Sequence, residues 1–186
     1  MKIGILATPE SLGGHIKTLL KCHIDVVKVE RSHQLNEIDG LIISGEDNVE
    51  LEELILNLKL VNKILKMAKN DFPIFGISEG TSILSKNKGK SLGLIDISVN
   101  LDSKNYYFQT FLEIPALGET PFKGVFTKDL YIEKVAPNVG ILCKMVNGKI
   151  VFVRQGNFLV ATFHPELAHD LRIHKYFIKI VKDGLT

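Results

Sequence analysis

Two hydrophobic patterns divide the chain near Gly93. Before this residue, short apolar runs alternate with stretches whose apolar residues recur at three- and four-residue steps, which is typical of strands alternating with amphipathic helices. The pattern predicts a turn at 8–10, strands at 2–7, 25–30, 39–45 and 73–77, and helices at 11–21, 49–69 and 79–86. Such a β-α-β-α order indicates a mostly parallel sheet with helices on both faces.

After Gly93, apolar and polar residues alternate in short segments separated by turn residues. We predict strands near 95–99, 107–114, 124–127, 139–145, 149–154 and 158–163, and a closing helix at about 166–182. Asn147-Gly148 and Gln155-Gly156-Asn157 are typical of tight hairpin turns. Because no repeat or linker interrupts the pattern, residues 1–186 are predicted to form a single mixed α/β domain with antiparallel strands added in its second half.

Charge and composition exclude several classes of function. The 23 Lys and Arg residues and 21 Asp and Glu residues are scattered along the chain, so we expect no nucleic-acid or membrane binding. No apolar run approaches the ~20 residues of a membrane span, and the N-terminal segment lacks the pattern of a signal peptide. Cys22 and Cys143 have no C-x-x-C spacing, which argues against a disulfide framework or a thiolate metal site. We therefore expect a cytoplasmic protein.

The segment Gly76-Ile77-Ser78-Glu79-Gly80 spells G-x-S-x-G between an apolar strand and a helix-like stretch. This is the setting of a nucleophile elbow, a sharp strand-to-helix turn that exposes the central side chain. Glycines flank the nucleophile because the turn leaves no room for side chains beside it. Ser78 is therefore the candidate nucleophile.

A second segment, Phe163-His164-Pro165-Glu166, supplies the groups that a serine needs. A hydroxyl attacks well only when a base removes its proton, and the base works best when a third group orients it. Since residues i and i+2 of an extended segment point to the same side, we predict His164 as the base and Glu166 as its orienting carboxylate. In α/β-hydrolases the acid precedes the histidine, so the order found here argues against that fold family.

Two other kinds of site are not supported. His164, His169 and His174 recur every five residues, which on a helix places successive members ~140° apart and off any shared metal-binding face. The first strand carries no G-x-G-x-x-G, so a dinucleotide site has no motif. We expect no metal and no cofactor.

Read in order, these segments resemble the class I glutamine amidotransferases, and most specifically the glutaminase subunits (PdxT) of pyridoxal 5′-phosphate synthase. The most distinctive matches are R-Q-G-N at 154–157 and F-H-P-E-L at 163–167, and His15 and His174 also fall where that family has histidines or matching helix residues. The other matching segments are 1–7, 39–45, 72–76, 92–97, 113–118 and 121–122. The resemblance implies a three-layer, flavodoxin-like α/β fold.

The resemblance also implies an activity and a partner. In that family an elbow cysteine attacks the side-chain amide of glutamine, the histidine handles the protons, the glutamate orients the histidine, and ammonia passes to a synthase partner. The positions transfer to Ser78, His164 and Glu166 as catalytic residues. Gly45, Glu46, Asp47 and Glu79 transfer as substrate-binding residues. Glutamine and a synthase subunit of vitamin B6 biosynthesis are the implied substrate and partner.

Four segments depart from the family pattern at this site. The elbow G-x-C-A-G has Ser78 in place of the thiol and Glu79 in place of a small residue. The oxyanion loop P-G-G-E-S-T corresponds to residues 44–49, where Glu46 replaces the second glycine, and losing one oxyanion donor costs ~10²–10³ in rate. The segment 99–105 lacks both arginines of R-N-x-F-G-R-Q, and residues 8–10 follow an altered L-Q-G.

These departures lead to three hypotheses. The first is a glutaminase subunit that has diverged, with weakened or lost activity. The second is a pseudo-glutaminase, a non-catalytic binding or regulatory module that docks on a partner or senses a ligand. The third is a serine hydrolase or amidase for a different substrate that uses Ser78, His164 and Glu166.

Overall fold

A computed structural model describes residues 1–45, 58–87, 91–100 and 104–185. Within these ranges the apolar runs form strands and the three- and four-residue patterns form helices. In chain order the strands are β1 (Lys2–Ala7), β2 (Asp25–Lys28), β3 (Gly40–Gly45), β4 (Ile74–Ser78), β5 (Ile97–Val99), β6 (Asn105–Leu112), β7 (Phe122–Lys128), β8 (Ile132–Val135), β9 (Gly140–Lys144), β10 (Ile150–Gln155) and β11 (Phe158–Ala161).

Four α-helices lie between or after these strands in the described part of the chain. They are α1 (Pro9–Lys21), α2 (Leu58–Ala68), α3 (Glu79–Leu84) and α4 (Arg172–Asp183). Short 3₁₀ helices occupy Ser32–Asn36, Pro115–Leu117 and Pro165–Leu167.

The main sheet has a parallel half and an antiparallel half. Its order is β2-β1-β3-β4-β11-β10-β8-β5, with β9 also pairing with β10. The neighbours from β2 to β11 are parallel, whereas β10 pairs antiparallel with β11, β8 and β9, and β5 pairs antiparallel with β8. Strands β6 and β7 form a separate antiparallel pair. The carboxyl ends of β3, β4 and β11 therefore meet at one edge of the sheet.

Helices cover both faces of the sheet, because alternate strand residues point to opposite sides. On one face, Ile42 and Phe75 pack in a core that includes Leu19 of α1 and Phe177 of α4. On the other face, Ile43 packs in a core that includes Leu60 of α2 and Leu84 of α3. This three-layer arrangement confirms the predicted fold class.

Several boundaries shift by a few residues, and three differences from the prediction are larger. Residues 8–10 are not a separate turn, because Pro9 opens α1, a position that suits its fixed φ and missing N–H. The short strand β8 was not predicted, since its two central residues, Glu133 and Lys134, are charged. The closing helix begins at Arg172 rather than near 166, after a 3₁₀ turn and His169 at φ 56°. Residues 49–57 of the predicted 49–69 helix lie outside the described ranges.

Among the described helices, none combines the length and the apolar character needed to cross a bilayer.

Candidate functional site

The G-x-S-x-G segment forms a sharp turn between β4 and α3. Ser78 ends β4 at φ 52° and ψ −118°, a backbone conformation that a residue with a side chain rarely adopts and that is characteristic of functional turns. A Cβ added at Gly80 would lie 2.0 Å from the carbonyl oxygen of Ile43, and one at Gly76 would lie 2.6 Å from that of Gly80. Both glycines are therefore required for β3, β4 and α3 to approach this closely.

His164 reaches the same edge of the sheet from β11. That strand is the parallel neighbour of β4, with Ala161 opposite Ile77, and the chain continues only three residues beyond Ala161 to His164. The backbone N–H of His164 donates to the carbonyl of Val125 in β7 at 2.7 Å. The segment is thus fixed between the main sheet and the β6–β7 pair.

The predicted base and orienting carboxylate are in contact. His164 Nδ1 lies 2.7 Å from Glu166 Oε1, and both side chains are buried. Burial alone would raise the pKa of Glu166, but the nearby His15 and the hydrogen bond with His164 hold that pKa at about 2. Because an ionised carboxylate only accepts hydrogen bonds, Nδ1 of His164 carries the proton, and Nε2 of the neutral ring is left as an acceptor.

The predicted nucleophile makes no hydrogen bond with the base among the described residues. Ser78 Oγ is buried and has no hydrogen-bond partner among the described residues. Nε2 of His164 lies instead 3.0 Å from Oγ1 of Thr127, at the end of β7. In this structure His164 is therefore hydrogen-bonded to Glu166 and to Thr127, and not to the Ser78 hydroxyl.

Residues predicted to bind substrate have different placements. Gly45 ends β3 directly opposite Ser78 in the parallel register. The Glu79 carboxylate is fully buried and accepts hydrogen bonds from Lys128 Nζ at 2.5 Å and from Ser82 Oγ at 3.3 Å. A buried charge needs such a partner, because desolvation without one is costly. Glu46 and Asp47 lie outside the described residues.

Two buried histidines extend the site behind Glu166. His15 Nε2 of α1 lies 3.6 Å from Glu166 Oε2, and His15 Nδ1 lies 3.2 Å from His174 Nε2 of α4. Burial lowers the pKa of both rings, and that of His174 falls to about 3. Both imidazoles are therefore neutral near pH 7.

Sequence reasoning missed four residues of this arrangement. Thr127 and Lys128 have no motif, and only the pairing of β7 beside the elbow brings them to His164 and Glu79. His15 and His174 matched the family pattern but received no role, because 159 positions separate them. Within the described ranges no group of His, Cys, Asp and Glu is arranged to hold a metal ion; the absence of a metal stays a prediction.

Adjacent glycines on α1 give a paired stability prediction. An added Cβ at Gly14 would lie 2.8 Å from Cγ of Glu166, whereas one at Gly13 meets nothing within 4 Å. Gly13→Ala is expected to stabilise the protein by about 0.5–1 kcal/mol through helix propensity. Gly14→Ala is expected to destabilise it by about 1–2 kcal/mol, because overpacking against Glu166 exceeds that gain. Urea unfolding measures both, and equal shifts would show that α1 does not press on Glu166.

Comparison with known families gives a match over nearly the whole chain. A model described as the SNO glutamine amidotransferase family matches residues 5–183. The pyridoxal 5′-phosphate synthase subunit PdxT of Desulforamulus reducens is 40% identical over 189 residues, which cover 98% of this chain and 100% of that protein. The PdxT of Carboxydothermus hydrogenoformans is 37% identical over 192 residues, and this match covers 100% of this chain and 100% of that protein.

Solved structures give the same fold. A crystal structure of a glutamine amidotransferase superposes with a TM-score of 0.87 at 24% identity, covering 97% of this chain and 98% of that one. A glutamine amidotransferase from Thermotoga maritima superposes with a TM-score of 0.65 at 15% identity, covering 100% of this chain and 85% of that one. At these identities the solved structures show the fold alone.

Proposed function

The chain belongs to the SNO glutamine amidotransferase family, and from that premise we propose that it is the glutaminase subunit of a pyridoxal 5′-phosphate synthase, with a weak hydrolytic activity that uses Ser78. The observation that carries the proposal is the buried contact between His164 Nδ1 and Glu166 Oε1 at 2.7 Å, beside the strained turn at Ser78. A base with its orienting carboxylate, next to a nucleophile elbow, is the apparatus of acyl transfer.

The reaction follows from these groups. Ser78 Oγ attacks the side-chain amide carbon of glutamine while its proton moves to Nε2 of His164. The ionised Glu166 stabilises the resulting imidazolium, which then gives a proton to the departing ammonia. Water, activated by the same histidine, hydrolyses the ester to release glutamate.

Three features make this reaction slow. An alcohol needs its proton removed during attack, whereas a thiol of pKa ~8.5 is readily ionised in advance. Thr127 Oγ1 occupies Nε2 of His164, so the base must leave this partner before it serves Ser78. The Ser78 hydroxyl is itself buried, so substrate must open the site.

The partner and the ligand come from the relatives. Proteins named as pyridoxal 5′-phosphate synthase subunits match this chain over 98% or more of its length. We propose that the ligand is glutamine, that the partner receiving the ammonia is a synthase subunit, and that the compartment is the cytoplasm. Gly45, which lies opposite Ser78, and the Glu46-Asp47 segment that follows it are proposed to bind the glutamine.

Glutamate release from glutamine tests the proposal, with the synthase subunit present and absent. The wild type is expected to release glutamate slowly, and Ser78→Ala is expected to reduce the rate to that of buffer. His164→Gln should have the same effect, because it removes the base. Equal rates for the wild type and Ser78→Ala under both conditions would exclude the catalytic proposal.

A specific observation favours one other function, a non-catalytic module that docks on the synthase. Neither functional atom is hydrogen-bonded to the other, since Ser78 Oγ is buried without a hydrogen-bond partner among the described residues and Nε2 of His164 contacts Thr127. A fluorophosphonate that labels the wild type but not Ser78→Ala would reject this alternative. Tight binding to the synthase without labelling or glutamate release would support it.

A further inference from the structure

We propose that His15 and His174 are positioning residues of this site, which complete a buried chain His174–His15–Glu166–His164 and fix the ring nitrogen on which His164 carries its proton. The inference deepens the proposed function and rests on it only for the role of His164 as the base. Neither histidine reaches the edge where substrate would bind, so both act through Glu166.

The four side chains come from three separate elements and are joined by two hydrogen-bond contacts and one longer electrostatic contact, since His15 Nε2 and Glu166 Oε2 make no hydrogen bond among the described residues. His174 comes from α4, His15 from α1, and Glu166 from the 3₁₀ turn that follows β11. The successive separations are 3.2 Å from His174 Nε2 to His15 Nδ1, 3.6 Å from His15 Nε2 to Glu166 Oε2, and 2.7 Å from Glu166 Oε1 to His164 Nδ1. The three histidines are fully buried, and Glu166 is 6% exposed.

Electrostatics allows one arrangement of protons along this chain. An ionised Glu166 accepts at both oxygens, so it receives Nδ1–H of His164 and faces Nε2–H of His15. His15 Nδ1 is then an acceptor, and His174 Nε2 donates to it. The reverse arrangement would place a lone pair of His15 against the carboxylate, and like partial charges in a low-dielectric interior repel strongly.

A purely structural role does not explain these two histidines. Buried polar groups are costly unless they are hydrogen-bonded, and His174 Nδ1 has no partner within the described part of the chain. An apolar residue would fill the position between α1 and α4 at lower cost. The packing of α1 also favours a positioning role, because the helix approaches Glu166 so closely that a Cβ added at Gly14 would lie 2.8 Å from Cγ of Glu166.

The consequence for His164 is a defined tautomer. With the Nε2–H of His15 facing Oε2 at 3.6 Å, the carboxylate is biased electrostatically to keep Oε1 on Nδ1 of His164, and Nε2 of His164 is left as an acceptor. Without His15, the carboxylate is free to turn, and the anchoring of the His164 ring weakens. The His164 ring then spends a smaller fraction of the time as the tautomer whose Nε2 is unprotonated and can accept a proton.

Nitrogen NMR of the His164 ring tests this directly, because protonated and unprotonated imidazole nitrogens have well-separated ¹⁵N shifts. We expect the wild type to show a protonated Nδ1 and an unprotonated Nε2. In His15→Leu the two shifts should move toward each other as the second tautomer is populated. His15→Gln, which keeps a donor near the position of Nε2, should restore the wild-type shifts. His174→Leu removes the partner of His15, one residue farther from His164 in the row of contacts. It should therefore shift the ¹⁵N resonances of His164 in the same direction but by less.

Activity provides the second measurement. With the synthase subunit present, kcat for glutamine is expected to fall roughly 10–100-fold in His15→Leu with little change in KM, and to recover in His15→Gln, as when other partners that orient a functional histidine are removed and replaced. Ile173→Val, at a buried apolar position next to His174, controls for general loosening of α4 and should change neither measurement.

The two proposals fail in different ways. If the folded His15→Leu and His174→Leu variants both keep the wild-type ¹⁵N shifts of His164, the positioning proposal is wrong, whatever the glutaminase assay gives. If the shifts move as expected but the wild type releases no glutamate, the positioning proposal stands and the proposed catalytic function is lost.

Discussion

The His174→Gln variant is expected to lose about 2 kcal/mol less stability than the wild type when the pH falls from about 6.5 to about 4.5. His174 is fully buried, and burial lowers its pKa from 6.5 to about 3, with a smaller contribution from His15 in the same direction. Below pH 6.5 the unfolded chain therefore binds a proton that the folded protein does not. The slope is about 0.7 kcal/mol per pH unit at pH 6.5, where the unfolded histidine is half protonated, and approaches about 1.4 kcal/mol per unit at lower pH. Glutamine keeps a donor for His15 but does not titrate.

Urea unfolding at several pH values measures this difference as the slope of the free energy of unfolding against pH. His33→Gln, at an exposed position outside the site, is the matched control and should give a profile parallel to that of the wild type. A wild-type slope that persists in His174→Gln would mean that His174 is not held neutral in the folded protein.

Protonation of Glu166 changes the free energy of unfolding in a lower pH interval. Its folded pKa of about 2 is below the ordinary value of 4.5, so its contribution to stability is complete above pH 4.5 and is lost as the pH falls toward 2. Unfolding measurements between about pH 6.5 and 4.5 therefore report mainly the titration of His174 and not that of Glu166.

Local patterns were sufficient to predict the fold and the position of the elbow. Alternating apolar runs and amphipathic stretches are properties of short windows, so the strands β1, β3 and β4 and the helix α4 were recognisable from the sequence. The elbow was predictable for a similar reason, since Gly76 and Gly80 are the residues that its turn requires. The family resemblance is confirmed by the match over residues 5–183.

The state of the site was not predictable, because it depends on contacts between distant segments. Thr127 and His164 are 37 positions apart, and Lys128 and Glu79 are 49 apart. Neither pair gives a periodic sequence pattern, and a threonine or a lysine at a strand end is most often simply exposed to solvent. The same holds for His15 and His174, whose contact exists only because α1 and α4 pack on one face of the sheet.

The Glu79 side chain illustrates how such a contact changes an interpretation. From the sequence, a charged residue beside the nucleophile is an obstruction or a substrate contact. In the structure its carboxylate is fully buried and paired with Lys128, whose side chain is 14% exposed. The pair links α3 to β7, the strand that also carries Thr127. Movement of β7 would therefore disturb the ion pair and the Thr127–His164 contact together.

The largest effect on reactivity is expected from Ser78→Cys, in which the introduced thiol should ionise well below the ~8.5 of a free cysteine, near or below pH ~7. A thiolate beside a protonated His164 forms a charge-assisted hydrogen bond, which is roughly twice as strong as the neutral one between Thr127 and Nε2. The ionised Glu166 stabilises the imidazolium of that pair. The thiolate should therefore take His164 from Thr127, where the serine hydroxyl does not.

Ultraviolet absorbance of the thiolate, titrated against pH and referred to the wild type, measures the pKa without requiring access to the buried site. The two native cysteines leave the neutral range clear, because burial raises the pKa of Cys143 to about 11 and also raises that of Cys22. Adding His164→Gln to Ser78→Cys should return the pKa of the introduced thiol to ~8.5 or above, since the positive partner is gone.

The same variants separate the nucleophile from the rest of the site. If Ser78→Cys lowers the thiol pKa and raises glutamate release about 100-fold or more over the wild type, the residue at the elbow is what limits the proposed activity. A lowered pKa without glutamate release would place the defect in substrate binding, at Glu79 or at residues 46–47. A thiol pKa at or above ~8.5 would contradict the prediction, because it would mean that His164 stays with Thr127 and does not act on residue 78. Adding Thr127→Val to Ser78→Cys, which removes the competing hydroxyl at nearly constant volume, should then lower the pKa.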